Sequence, residues 1–228
     1  MDYLIKTHQL TKQFKTTTAL NQVSLSIPRG AIYGLIGNNG AGKTTLMSIL
    51  AALEKQTSGS VHAETDLTIG ALIEAPVCYP MYSAYRNLTY QKNLLGAKET
   101  DIKKLLTFVG LPDSRKPVRN YSLGMKQRLG LAMALVGNPD FLILDEPLNG
   151  LDPDGIRAIR ALLVELNQNY GKTILISSHI LGELQKVATH YGFLKNGILI
   201  KEFSNEVLKT DLETFYFENR SEERRVGK

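Results

Sequence analysis

Hydrophobic and polar residues alternate along the first third of the chain, which is the pattern of strands that bury one face. The alternation covers residues 3–8 and 23–27, and the more continuous apolar run 31–36 leads into a glycine-rich loop. Helix-forming residues with an apolar stripe follow over 44–53, and the polar run 56–60 predicts a turn. The predicted local order is therefore strand, glycine loop, helix.

The middle of the chain changes to helical periodicity. Apolar residues recur at helical spacing over 87–95, 101–109 and 123–136, and segments with glycine and proline interrupt the pattern between them. We therefore predict a mostly helical insert over residues 75–138.

Short apolar runs return after the insert. Residues 141–144 and 173–176 read as buried parallel strands, because a helical stretch over 156–168 can serve as the crossover between them. Residues 191–201 predict a hairpin with Asn196 and Gly197 as its two-residue turn.

The composition is that of a folded globular protein. Hydrophobic residues make up 43% and charged residues 21% of the 228 residues, far from the range of disordered chains. The length allows one large domain with a substantial core. Cys78 is the one cysteine of the sequence, so no intramolecular disulfide can form and a reducing cytoplasm is the expected compartment.

Charge and hydropathy limit the partners that can be expected. No apolar run approaches the roughly 20 residues of a membrane-spanning helix, so we expect no part of the sequence to cross a bilayer. The net charge is +5, but the basic residues are scattered, so direct binding of nucleic acid is not expected. Residues 218–228 form a charged cluster that we interpret as a disordered tail or a non-native remnant, and we assign it no function.

The strongest chemical signal is the loop at residues 37–44, which matches G-x-x-x-x-G-K-[ST]. Glycines let backbone N–H groups converge on phosphates at a helix N-terminus, Lys43 neutralises phosphate charge, and the Thr44 hydroxyl can bind Mg²⁺. The predicted phosphate-contacting residues are Gly37, Asn38, Asn39, Gly40, Ala41, Gly42, Lys43, Thr44 and Thr45.

Two carboxylates end the apolar run 141–144. Asp145 and Glu146 stand where open α/β sheets place ligands, and a buried carboxylate needs a cation or a proton beside it. We predict that Asp145 contacts Mg²⁺ through water and that Glu146 polarises the water that attacks a phosphate.

With the following motifs, the chain resembles the ABC ATPase family up to about Phe217. Residues 121–127 are similar to the signature motif, although Leu123 and Met125 depart from the commoner glycine and glutamine. Residues 149–152 resemble the D-loop, residues 177–179 resemble the switch-histidine segment, and Phe14 stands where the family stacks an aromatic ring on adenine.

The resemblance implies roles for several of these residues. It implies that Ser122 and Gly124 reach the γ-phosphate of ATP bound to the other subunit of a pair, that Asp152 lies at the nucleotide, and that His179 acts in catalysis with Lys43 and Glu146.

Glu74 takes the place of the family's usual glutamine in the linking loop, where it would contact the metal. With the signature sequence, this substitution resembles the subfamily that expels peptide antibiotics of the lantibiotic and bacitracin type. The alternative is neutral drift of a polar linker residue.

The fold that the resemblance implies is an α/β P-loop core with a mixed sheet, an antiparallel β subdomain and a helical signature subdomain. We expect residues 1–217 to form one ATPase domain, with 1–72 and 139–217 as the core and 73–138 as the helical lobe.

The activity that the resemblance implies is ATP hydrolysis with Mg²⁺, coupled to transport. The expected partners are integral membrane permease subunits and a second ATPase subunit, identical or different. The expected location is the cytoplasmic face of a bacterial cell membrane, as a peripheral protein.

Two alternative functions stay open. The chain could serve another kind of exporter, or it could be a non-transport ABC ATPase that acts on nucleic acid. Non-transport members usually carry a second cassette or a long coiled coil between the phosphate loop and the signature, whereas here one small lobe separates Lys43 from Ser122. A GTPase or kinase lacks support because the sequence has no Asn-Lys-x-Asp guanine motif.

Overall fold

A computed structural model describes residues 2–208 and 210–216 of the chain. Its strands are β1 (Tyr3–Phe14), β2 (Thr17–Val23), β3 (Ser26–Pro28), β4 (Ile32–Ile36), β5 (Ser58–Ala63), β6 (Ile69–Leu72), β7 (Phe141–Leu144), β8 (Thr173–Ser177), β9 (His190–Lys195) and β10 (Ile198–Ser204). Its helices are α1 (Lys43–Leu50), α2 (Ala84–Leu94), α3 (Ile102–Phe108), α4 (Leu123–Leu135), α5 (Pro153–Gln168) and α6 (Leu181–Gln185). Phe217 and the charged segment 218–228 lie outside the described residues.

The strands form two sheets. In the six-stranded sheet the order is β10-β9-β4-β8-β7-β6, with parallel pairing except between β9 and β10. In the second sheet, β1 pairs antiparallel with β2, β3 and β5. The predicted combination of a mixed core sheet and an antiparallel β unit is confirmed.

The central strands β4, β7 and β8 of the core sheet are buried along their whole length, which explains why their sequences are continuous apolar runs. Within β7, Leu142 and Leu144 belong to a cluster shared with the helices α2–α6, whereas Phe141 and Ile143 belong to a cluster shared with β1 and α1. Successive side chains of a strand point to opposite faces, so one strand joins both clusters.

Local sequence sets the ends of several helices. Ser83, Asp101, Ser122 and Asp152 each accept a backbone N–H through the side chain at the N-cap of α2, α3, α4 and α5. Pro153 follows at the first position of α5, where its missing N–H has no cost. The predicted helices of the insert, the crossover helix and the predicted hairpin are all confirmed to within a few residues.

The predicted strand over 23–27 is wrong. Val23 ends β2, and β3 begins only at Ser26. The Thr7 hydroxyl donates to the Val23 carbonyl and accepts from Leu25 N, both at 2.9 Å, so a side chain supplies these two bonds in the gap between the strands, beside the backbone bond from Thr7 N to the Leu25 carbonyl. Alternating hydropathy continues through the break between β2 and β3, because the apolar side chains of Val23, Leu25 and Ile27 are all buried.

Three further strand assignments differ from the prediction. The predicted turn 56–60 ends early, since Ser58 already begins β5 against β1. Strands β2 and β6 were not predicted, because β2 is half exposed and polar and β6 has only four residues. The separation of 73–138 as a lobe of its own stays a prediction.

Candidate functional site

The phosphate loop connects the end of β4 to the start of α1. Gly42 stands at the N-cap with φ 103°, a left-handed conformation that glycine adopts without strain. A Cβ at Gly37 would lie 2.4 Å from the carbonyl oxygen of Leu194, so a larger side chain does not fit. Lys43 is buried, and its Nζ donates to the carbonyl oxygens of Gly37 at 2.7 Å and Asn38 at 3.3 Å. The loop therefore wraps around its own lysine.

The other predicted phosphate-contacting residues surround this lysine at different depths. Asn38, Asn39 and Gly40 are exposed, and Ala41 is buried. Thr44 and Thr45, in the first turn of α1, are partly exposed.

Asp145 lies at the carboxyl end of β7, where it binds two hydroxyl groups. Its Oδ2 accepts from Thr44 Oγ1 at 2.7 Å, and its Oδ1 accepts from Ser177 Oγ at 2.5 Å. The carboxylate is 6% exposed, so these bonds replace the water that it loses. The structure thus brings together Thr44 and Asp145, which are 101 positions apart in the sequence.

Glu146 has contacts of a different kind. Its Oε2 lies 2.7 Å from His179 Nδ1, and its Oε1 lies 3.6 Å from Lys43 Nζ. Its backbone has φ 49°, a conformation uncommon outside glycine and frequent at functional sites. The three residues predicted to act in catalysis are therefore in one cluster.

Glu74 is near this cluster along the sheet but does not join it. Leu72 pairs with Leu144 in the β6–β7 register, so the chain after β6 leaves the same sheet edge as Asp145 and Glu146. In the described part of the chain, Glu74 makes no hydrogen bond or ion pair. Its φ of 63° is again in the left-handed region.

The signature residues contact the D-loop and not the phosphate loop. Ser122 caps α4 by accepting from Met125 N at 3.3 Å. The Leu123 side chain packs against Gly150, where an added Cβ would lie only 2.7 Å from it. Among the described residues, neither Ser122 nor Gly124 hydrogen-bonds to the phosphate loop.

Asp152 and Phe14 have visible local contacts. Asp152 Oδ1 accepts from Gly155 N at 2.8 Å and so stabilises the first turn of α5. Phe14 ends β1 with its ring 44% exposed, and the Nζ of Lys12 lies 4.6 Å from the ring centroid. An exposed aromatic face with a cation beside it can receive a planar group.

Sequence reasoning did not assign a role to Ser177. This residue is fully buried, and besides its bond to Asp145 its Oγ accepts from Glu146 N at 2.8 Å. It therefore fixes the carboxylate of Asp145 and the backbone of Glu146. A polar residue at the end of the apolar strand β8 was the signal that could have indicated it.

A cavity of about 530 Å³ opens beside these groups. Gly37, Asn38, Glu146 and His179 line it, and so do several residues for which no role was predicted, namely Asn149, Ser178, Leu181 and Tyr216. The cavity therefore lies between the phosphate loop and the predicted catalytic side chains of Glu146 and His179.

The described residues 2–208 and 210–216 contain no group of three or more His, Cys, Asp or Glu side chains that could hold a metal ion. The groups that come nearest to forming a metal site are the Thr44 hydroxyl and the Asp145 carboxylate, which lie 2.7 Å apart. Oxygen donors of this kind suit Mg²⁺, which keeps several waters and takes few protein ligands. Within the same residues, no helix has the length and hydropathy to span a membrane.

Comparisons with known proteins agree on one family. The family described as ABC transporter matches residues 20–149. The lantibiotic transport ATP-binding protein SrtF of Streptococcus pyogenes is 46% identical over 207 residues, which cover 87% of this chain and 90% of SrtF. The bacitracin transport ATP-binding protein BcrA of Enterococcus faecalis is 44% identical over 214 residues, which cover 89% of this chain and 70% of BcrA.

Solved structures lead to the same family. CbiO1 of Clostridium perfringens, part of the ABC transporter complex cbiONQ, superposes with a TM-score of 0.78 at 26% identity, covering 100% of this chain and 96% of its own. The dimeric bacterial ABC transporter cassette MJ0796 superposes with a TM-score of 0.78 at 25% identity, covering 88% of this chain and 98% of its own. The chain therefore belongs to the ABC transporter family, among its ATP-binding subunits.

Proposed function

We propose that this subunit hydrolyses ATP in a pair of ATPase subunits and thereby drives a membrane permease that expels peptide antibiotics. The observation that carries the hydrolysis is the cluster of Lys43, Glu146 and His179 beside a phosphate loop. A cation for the phosphates and a carboxylate held by an imidazole are the groups that phosphoryl transfer to water requires.

Each side chain of the cluster has a separate task. The ammonium of Lys43 neutralises phosphate charge at the loop. Glu146 accepts a proton from the attacking water, and His179 holds the Glu146 carboxylate in position through the 2.7 Å contact. Ser177 keeps the backbone of Glu146 in place by accepting its N–H.

Thr44 and Asp145 would hold Mg²⁺, Thr44 through its hydroxyl and Asp145 through a water bound to its carboxylate. The ion would stabilise the negative charge that develops on the transferred phosphoryl group. The fit rests on the buried 2.7 Å contact between these two oxygen groups.

Two subunits would close head to tail over two ATP molecules, because among the described residues neither Ser122 nor Gly124 hydrogen-bonds to the phosphate loop of its own chain. Leu123 links the signature to the D-loop at Gly150, so the two segments would meet the second subunit together. Closure by ATP requires that ATP binds the closed pair more tightly than the open one.

The substrate proposal rests on the relatives named above, which transport bacitracin and a lantibiotic. We expect cells that carry this subunit and its permease to tolerate bacitracin or a lantibiotic, and the Lys43→Ala variant to remove the tolerance. The measurement is the minimal inhibitory concentration across a panel of both peptide types, with Lys103→Ala on exposed α3 as the matched control. Unchanged concentrations for every peptide would contradict the substrate proposal and favour another kind of exporter.

The permease would dock on an apolar surface next to Glu74. Val77, Tyr79 and Met81 of the loop before α2 are 91%, 47% and 60% exposed. Tyr90 of α2 extends this surface, with its ring centroid 5.1 Å from that of Tyr79. Exposed apolar patches of this kind mark protein interfaces, and a short cytoplasmic helix of the permease is the expected occupant.

Crosslinking from Cys78 tests this docking. Because Cys78 is the one cysteine of the chain, a thiol-reactive crosslinker should join it to the permease in a co-expressed complex. Burial raises the pKa of the Cys78 thiol, so less thiolate is present at neutral pH and the reaction should be run at mildly alkaline pH. A Cys78→Ser, Thr65→Cys variant moves the thiol to the turn after β5 and should lose the product. Capture of soluble proteins alone would contradict the docking surface.

We expect Glu74→Gln to keep ATP binding and much of the basal hydrolysis but to lose antibiotic protection. In the described part of the chain Glu74 has no hydrogen bond or ion pair with the catalytic cluster, so we assign its carboxylate to passing the nucleotide state to the permease. When the metal leaves with product, a charged Glu74 repels the remaining phosphate and favours opening, whereas glutamine does not.

The measurement pairs hydrolysis by the purified protein with the inhibitory concentration in cells, and Glu213→Gln is the control at an exposed carboxylate. If Glu74→Gln keeps wild-type hydrolysis and a wild-type inhibitory concentration, glutamate at this position is a neutral substitution. Loss of hydrolysis with intact binding would place Glu74 in the chemistry.

A further inference from the structure

A second cavity, of about 900 Å³, lies away from the phosphate loop. Its walls come from the segment between α2 and α3, from α3 itself, from the end of α4 and from the segment between α5 and β8. The cavity shares no residue with the proposed ATP site. Its size is that of pockets that hold small organic ligands, which occupy roughly 300–1,000 Å³.

The floor of this cavity contains a buried lysine. Lys172 is 7% exposed, and its Nζ donates to the carbonyl oxygen of Asn138 at 3.1 Å. In the described part of the chain this is its one hydrogen-bond acceptor, and no carboxylate lies within ion-pairing distance. An ammonium has three N–H donors, so two donors remain for a ligand.

The electrostatics around Lys172 favour an anion. Burial lowers the pKa of the Lys172 ammonium, and the attraction of Asp140 only partly opposes this. Asp140 is itself engaged, since its Oδ2 accepts from the Thr68 hydroxyl at 2.6 Å. A buried cation without a close counter-charge is costly, and an anionic ligand would remove that cost.

The walls of the cavity are mainly apolar. Leu135 and Leu166 are buried beside it, and the rings of Phe108 and Tyr170 meet edge to face with centroids 5.6 Å apart. Phe108 belongs to α3 and Tyr170 follows α5, so a ligand packed against this pair of rings would contact both segments.

The rim of the cavity carries charges of both signs. Lys98 and Lys104 are basic, and Glu99 and Asp101 are acidic. Asp101 is already engaged, because its Oδ1 accepts from Lys103 N and Lys104 N at the start of α3. The rim therefore does not cancel the positive charge of the floor.

We propose that this cavity binds an amphipathic organic anion, with its acidic group on Lys172 and its apolar body against Phe108 and Tyr170. The site goes beyond ATP hydrolysis and transport. Because its walls come from α3 and from the segment after α5, an occupied site would join the helical insert to the core sheet and restrict their relative movement.

The test compares two fluorescent probes on the purified chain. Anilinonaphthalene sulfonate is an amphipathic anion, and N-phenylnaphthylamine is a neutral compound of similar shape. We expect the sulfonate to bind at one site per chain and Lys172→Met to weaken it by about tenfold, the size of one charge-assisted hydrogen bond. The neutral probe should bind Lys172→Met as well as it binds the wild type.

Three further measurements decide the location. Leu105→Trp, which fills the cavity from α3, should exclude both probes, whereas Lys103→Met on exposed α3 should change neither. Binding should also persist in Lys43→Ala and in the presence of ATP. Displacement of the sulfonate by ATP, equal loss of both probes in Lys172→Met, or full binding in Leu105→Trp would overturn the proposal. Circular dichroism of each variant shows whether the fold is intact.

Discussion

Replacing Glu146 with glutamine should lower ATP hydrolysis by about 10²- to 10⁴-fold, the usual contribution of a positioned general base. Glutamine keeps the size of the side chain and can still meet His179, but it cannot accept a proton. ATP binding should persist, since the variant removes a negative charge 3.6 Å from Lys43 Nζ and so leaves the ammonium free for phosphate. The protein should therefore accumulate as an ATP-bound dimer.

The measurements are phosphate release and elution volume on a sizing column in the presence of ATP and Mg²⁺. Glu213→Gln is the control, because its carboxylate is exposed and outside the cluster. Normal phosphate release from the Glu146 variant would remove Glu146 from the proposed role. Loss of ATP binding together with hydrolysis would show that Glu146 acts on the bound nucleotide and not on the attacking water.

Replacing Lys43 with alanine should weaken ATP binding by about one to two orders of magnitude, the range expected for one or two charge-assisted hydrogen bonds. The physical reason is charge balance. Lys43 is the cation next to Glu146, and without it the carboxylate would face the phosphates unscreened. We therefore expect Lys43→Ala to lower the affinity for ATP more than the rate at which bound ATP is hydrolysed. The opposite is expected of Glu146→Gln.

Equilibrium binding of a fluorescent ATP analogue provides the measurement, with Lys103→Ala as the matched control. Because Lys43 donates to two carbonyl oxygens of its own loop, thermal unfolding without nucleotide should also be recorded. Wild-type affinity in a folded Lys43 variant would contradict the proposed charge balance.

The fold was predictable where local signals and tertiary packing agree. Continuous apolar runs gave β4, β7 and β8, because strands covered on both faces contain few polar residues. Alternating hydropathy misled the prediction over 23–27, where the Thr7 hydroxyl bonds to both Val23 and Leu25 in the gap between β2 and β3. No pattern within residues 23–27 could indicate this, since the interrupting group comes from 16 positions earlier.

The site was predictable as a set of residues but not as an arrangement. The motif spacing indicated Lys43, Asp145 and Glu146, and the family resemblance added His179 and placed Glu74 with the metal ligands. Neither indicated that the Ser177 hydroxyl donates to the Asp145 carboxylate and accepts the backbone N–H of Glu146. The metal role of Glu74 stays a prediction, because Glu74 has no described hydrogen bond or ion pair with Thr44 or Asp145.

The sequence by itself determined the phosphate loop, because glycine at φ 103° and a lysine at a helix start are local requirements. It also determined the buried strands β4, β7 and β8 and the helices between them, since hydropathy periodicity is a property of neighbouring residues. Only the tertiary structure decided which side chains meet. The Thr44–Asp145 and Glu146–His179 contacts join residues 101 and 33 positions apart, and the sheet order β4-β8-β7 places the ends of these strands side by side. The burial of Lys172 depends on this packing as well, because its Nζ donates to the carbonyl oxygen of Asn138, 34 positions earlier.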